Sequence, residues 1–94
     1  MNAKGKGSRA EHRTMRVLEA AGYSCTRAAA SLGMWDVIAI GPGDVRLCQV
    51  KAGKRPYCSP LEREGLELFK VPHSVRKELW LWKDHARAPV IEVL

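Results

Sequence analysis

Asp36, Gln49 and Lys51 are the residues of this sequence best placed to do chemistry together. Residues 35–40 and 45–51 read as two strands joined by Gly41-Pro42-Gly43-Asp44, residue types that tight reversals use. With Ile40 opposite Val45, Asp36 falls opposite Gln49. Side-chain alternation then places Asp36, Ile38 and Ile40 on one sheet face with Val45, Leu47, Gln49 and Lys51. That face is apolar near the turn and polar at its far end. Polar groups buried there without partners would cost about 2–7 kcal/mol each. A divalent cation with a phosphate would compensate them. Asp36 can ligate Mg²⁺ or Mn²⁺, while Gln49 and the Val50 backbone carbonyl can add the neutral oxygens that hard cations accept. Lys51 would steady a hydroxide nucleophile and the charge that develops on phosphate. The competing reading is an Asp–Lys ion pair at a sheet margin, which does not call for an amide between the charges.

These residues need a scaffold, and the surrounding pattern supplies one. Ser8 opens a helix with Ala10, Thr14, Val17, Leu18 and Ala21 at helical spacing and Gly22 as its stop. Residues 23–27 read as a first strand, followed by a small-residue loop carrying Ser31 and Gly33. Ser59-Pro60-Leu61-Glu62 is a capping box with proline at the first helical position. It starts a second helix that runs to about Lys70, with Leu61, Gly65, Leu68 and Phe69 on its buried side. Residues 76–83 form a further strand in which Leu79 and Leu81 share one face and Trp80 and Trp82 the other, so both faces need covering. Residues 90–94 add a short last strand. The order helix, three strands, helix, one or two strands is a small α/β sandwich around a mixed sheet.

Glu11 lies one turn into the first helix and can be aimed at Asp36 as a second carboxylate. It also fits a capping box with Ser8, and the two roles compete for one side chain. Arg9 and Arg13 on the same helix, Arg27 before the loop, and Lys54 and Arg55 after the second hairpin strand are candidate phosphate contacts. Lys4 and Lys6 sit among glycines in residues 1–7, a composition that favours a mobile basic arm ahead of a single domain at 8–94. Gly5-Lys6-Gly7-Ser8 lacks the strand and upstream glycine of a phosphate-binding loop and is set aside.

Ninety-four residues suffice for one core, and a net charge of +6 favours an anionic partner such as nucleic acid. Cys25, Cys48 and Cys58 are an odd, widely spaced set, which argues against a disulfide framework or a zinc site. No apolar run approaches a membrane span, so a soluble cytoplasmic protein is expected, of a bacterial, archaeal or phage-infected cell.

Glu11, Asp36 and Gln49-x-Lys51 on this order of elements resemble the PD-(D/E)XK nuclease superfamily. The run Arg27-x-x-x-Ser31-x-Gly33-x-x-Asp36-Val37-Ile38-Ala39 is similar to Holliday junction resolvases and to the VRR-NUC branch. The resemblance implies a restriction-endonuclease-like α-β-β-β-α-β core and Mg²⁺- or Mn²⁺-dependent cleavage of branched DNA. It assigns the metal to Glu11, Asp36 and Gln49, catalysis to Lys51, and a place near the scissile phosphate to Ser31. Trp35 replaces the proline usual before the strand aspartate, and Gln49 stands where many members carry an acid. A four-way junction has two-fold symmetry, so a homodimer is expected, with the Trp80/Trp82 face as its candidate interface.

Overall fold

The computed structural model describes residues 3–28 and 33–94, with side chains described from residue 7 onward. The elements are α1 (Ala3–Ala20), β1 (Ser24–Arg27), β2 (Val37–Ile40), β3 (Val45–Gly53), α2 (Pro60–Leu68), β4 (Val75–Lys83) and β5 (Val90–Val93). The strands form one sheet in the order β1-β2-β3-β4-β5. Every neighbouring pair is antiparallel except β3 and β4, which are parallel and joined through α2. This is a small α/β domain with a mixed sheet, the class expected from the sequence.

The β2–β3 hairpin has the expected register, with Val37 opposite Cys48 and Ile40 opposite Val45. The regular pairs end at Val37: the Asp36 amide donates to the carbonyl of Cys48, the partner of Val37, at 2.8 Å, a bulge-like bond that takes Asp36 off the register expected to set it opposite Gln49. Asp36 stands immediately before β2. At the turn, the Gly41 amide donates to the Asp44 carbonyl at 2.8 Å. A Cβ on Gly41 would lie 2.6 Å from the Tyr23 ring, so the ring's approach requires glycine there. The Tyr23 hydroxyl donates to Asp44 Oδ1 at 2.6 Å and ties β1 to this turn.

The helix start expected at Ser8 is wrong: α1 begins at Ala3, and Ser8 lies within it. Residues 3–7, expected as a mobile arm, are helical. Each interior glycine costs about 1 kcal/mol relative to alanine, which weakens a helix without forbidding it. The Ser8–Glu11 capping box accordingly does not form. Ala10, Thr14 and Leu18 make the buried stripe, whereas Val17 and Ala21 face outward. Gly22, at φ 98°, ends the helix: its amide donates to Glu19 and that of Tyr23 to Leu18, both at 3.0 Å, in a Schellman arrangement.

Two cores lie on opposite sides of the sheet. Beneath α1 are Val37, Ala39, Cys48, Val50, Trp80 and Trp82. On the other side Leu66 of α2 packs with Trp35 and Leu47, and Ile38 and Phe69 pack around them. Covering both faces explains why β4 is apolar on both. It also corrects the expected role of the two tryptophans, because Trp80 and Trp82 are only 1% and 3% exposed. The chain's own first helix occupies the face proposed for a second subunit. Trp82 Nε1 donates to Thr14 Oγ1 at 2.7 Å, and the Arg13 guanidinium lies 4.1 Å from its ring centroid.

The Ser59 capping box and Pro60 form as expected at the start of α2. Its buried side is narrower than the spacing suggested: Leu66 is buried, while Leu61 and Leu68 are 81% and 70% exposed. The helix ends at Leu68, before Lys70, where Phe69 turns to extended backbone, and Lys77 of β4 caps the last turn. The Lys77 ammonium donates to the carbonyls of Leu66, Glu67 and Phe69 at 2.9, 2.6 and 2.8 Å, which sets a cation on the last turn.

Candidate active site

Asp36 is the centre of the site. Its Oδ2 accepts from the Val50 amide at 2.8 Å, so β3 fixes the orientation of the carboxylate. Burial pushes its pKa above the ordinary aspartate value; the Val50 amide opposes that shift, Glu11 adds to it, and Lys51 and Arg27 oppose it. The causes themselves show that Glu11, Arg27 and Lys51 lie within electrostatic reach of Asp36. The two cations do not offset its loss of hydration.

Each neighbour is held by one polar contact. Glu11 Oε1 accepts from Arg27 Nε at 2.9 Å, joining α1 to the end of β1. The Gln49 side-chain amide donates from Nε2 to the Met34 carbonyl. Lys51 Nζ donates to Glu62 Oε2 at 2.7 Å, so the lysine on β3 meets the first turn of α2. This bond, with the Ser59 amide second, lowers the Glu62 pKa.

The sequence-derived set is thus assembled in part. Glu11 and Lys51 lie within electrostatic reach of Asp36, while Gln49, expected opposite Asp36, bonds the Met34 carbonyl instead. Arg27 has its Nε on Glu11, and Arg13 donates to the Ala86 carbonyl at 2.8 Å. Lys54 and Arg55 are exposed just beyond β3, and Arg9 is exposed on α1. Ser31 and the side chains of Lys4 and Lys6 lie outside the described residues. Sequence reasoning missed Glu62 as a site residue. The capping box fixed its place on the helix, but nothing in one sequence joins that helix turn to Lys51. The Met34 carbonyl was missed for the same reason.

The donor atoms are of the type a hard divalent ion takes. Among the described residues no three His, Cys, Asp or Glu side chains form a metal-holding group. Two carboxylates and an amide nonetheless give an all-oxygen set of the kind Mg²⁺ takes with water completing its shell. With one oxygen of Asp36 and one of Glu11 bonded, and Gln49 held through its nitrogen, each side chain has a further oxygen to offer. A cation would also relieve the unfavourable charge of the desolvated Asp36.

No protein-family model matches this chain, and no curated protein does. Among the described residues, no helix is long and apolar enough to cross a membrane.

Proposed function

We propose that this chain is a metal-dependent endonuclease of restriction-endonuclease-like fold that hydrolyses phosphodiesters in branched DNA, foremost at four-way junctions. The observation that supports the reading is a buried Asp36, held by the Val50 amide, with a second acid from α1 and a lysine from β3 within electrostatic reach. Glu11, Asp36 and Gln49 would hold Mg²⁺ or Mn²⁺, which when bound polarises the phosphate and lowers the pKa of an attacking water. Val50 orients Asp36 through its amide, and Arg27 orients Glu11. Lys51 faces the charge that develops on the phosphate oxygens. Its present partner, Glu62, is half-exposed, and such a pair contributes about 0–1 kcal/mol, so the ammonium can turn from it to a phosphate at little cost.

The net charge of +6 favours a polyanionic substrate. Paired incision of a two-fold symmetric junction calls for two sites and hence a homodimer, joined elsewhere than at the buried tryptophans. A second reading, a binding module that grips DNA without cutting it, is favoured by Gln49, which gives the metal shell one negative charge fewer than an acid would.

The deciding experiment incubates a synthetic four-way junction and a linear duplex with the chain and Mg²⁺ or Mn²⁺. Junction cleavage is expected, reduced about 100-fold or more by Asp36→Asn and by Lys51→Ala. Equal cleavage by wild type and Lys51→Ala would remove the proposed site. Salt-sensitive binding without cleavage, unaffected by Asp36→Asn, would support the binding module.

A further inference from the structure

A cleft of about 470 Å³ opens between α1 and the end of β4. Ala10, Ala52 and Trp82 line it together with Arg13, Lys83 and His85. The cleft lies on the α1 side of the sheet, where Ala10, Ala52 and Trp82 belong to the core beneath that helix. The small side chains of Ala10 and Ala52 leave the space open. One carboxylate, Asp84, also borders it, against the cations Arg9, Arg13 and Lys83.

Arg13 is fixed by stacking on Trp82 and by donating from Nη2 to the Ala86 carbonyl, which leaves other guanidinium donors for a ligand. The loop after β4 is fixed as well: Asp84 donates its amide to the Gly53 carbonyl at 2.9 Å, and Ala86 donates to Lys83 at 3.0 Å. Within that turn His85 has φ 64°, the only left-handed non-glycine among the described residues. A histidine there is strained where glycine would be relaxed, and such strain concentrates at binding and catalytic positions.

We propose that this cleft binds a phosphate group of the nucleic-acid strand, outside the scissile one, through Arg13, Lys83 and His85. The proposal rests on the nucleic-acid reading of the Asp36 site and adds a contact that positions the strand. A planar guanidinium suits a phosphate's oxygens, and the ammonium adds charge.

The test measures binding of the full chain to a labelled four-way junction and a duplex in EDTA, across a salt series. Lys83→Glu should weaken binding about eightfold or more at 0.1 M salt, and should flatten the slope of log K against log salt by about 0.9, the value of one phosphate contact on duplex DNA. Lys70→Glu, an exposed charge reversal past the end of α2, should change affinity less than about twofold. His85→Gly should raise Tm by about 4 °C through relief of strain, yet lower affinity. Affinity unchanged in either cleft variant, or lowered as much by Lys70→Glu, would overturn the proposal. Binding is read here without metal or cleavage, so its failure stands apart from failure of the nuclease reading, which Asp36→Asn tests by cleavage.

Discussion

Thr14→Val should damage the docking of α1 far more than its size suggests. Thr14 is fully buried, and its hydroxyl accepts from Trp82 Nε1 at 2.7 Å while donating to the Ala10 carbonyl at 2.8 Å. Valine keeps the shape and removes the acceptor. The Ala10 carbonyl retains its helical partner, but the indole N–H is left buried without one, at a cost of about 1–3 kcal/mol. For a domain of this size each kcal/mol is worth about 4–8 °C in Tm, so a fall of about 8–16 °C follows for the middle of that range. Thr14→Ser keeps the hydroxyl and loses one methyl group, about 1 kcal/mol. Thermal unfolding followed by far-UV circular dichroism orders the variants, and a cycle with Trp82→Phe isolates the bond. In the Trp82→Phe background the additional cost of Thr14→Val should shrink by about 1 kcal/mol or more. A serine variant less stable than the valine variant, or strictly additive cycle energies, would refute the hydrogen bond as the link between α1 and β4. Because α1 also carries Glu11 and Arg13, junction cleavage should fall in Thr14→Val below its own melting range and persist in Thr14→Ser.

Two further predictions concern the other side of the sheet and the central acid. Lys77→Met removes three hydrogen bonds from the last turn of α2 while keeping the aliphatic stem; a loss of about 1–3 kcal/mol in urea unfolding is expected, and an unchanged midpoint would contradict the capping role. Asp36 holds its proton more tightly in the folded chain than in the unfolded one, so its contribution to stability falls as pH rises from 3.8 through its raised folded value and stays low above it. In EDTA, Asp36→Asn should match wild type near pH 3 and be the more stable protein at pH 7. A variant that loses stability relative to wild type as pH rises would reverse that sign.

The hairpin was legible because a short turn fixes register, which pairs Ile40 with Val45 through to Val37 with Cys48; the expected pairing fails one residue further, where the Asp36 amide turns to Cys48, a local bulge that alternation does not encode. The α2 start was legible for a similar local reason, since Ser59, Pro60 and Glu62 meet at fixed spacing. The start of α1 was not: Gly5 and Gly7 lower helix propensity, but the hydrogen-bonded turns continue through them. Trp80 and Trp82 were misread because alternation shows that a face is apolar without saying which element covers it; here α1 does. Leu61 and Leu68 show the converse, since helical spacing marks a stripe but not how much of it the sheet reaches. The pairing of Lys51 with Glu62 and of Gln49 with Met34 depends on tertiary approach, which no local pattern in one chain encodes.

Mn²⁺ titration of the metal-free chain, followed by electron paramagnetic resonance and calorimetry, tests most directly whether Asp36 and its neighbours form a metal site. One ion per chain is expected for wild type, with affinity lost in Asp36→Asn and strengthened in Gln49→Glu, which adds a carboxylate to the donor set. No saturable binding, or binding that Asp36→Asn leaves unchanged, would contradict it.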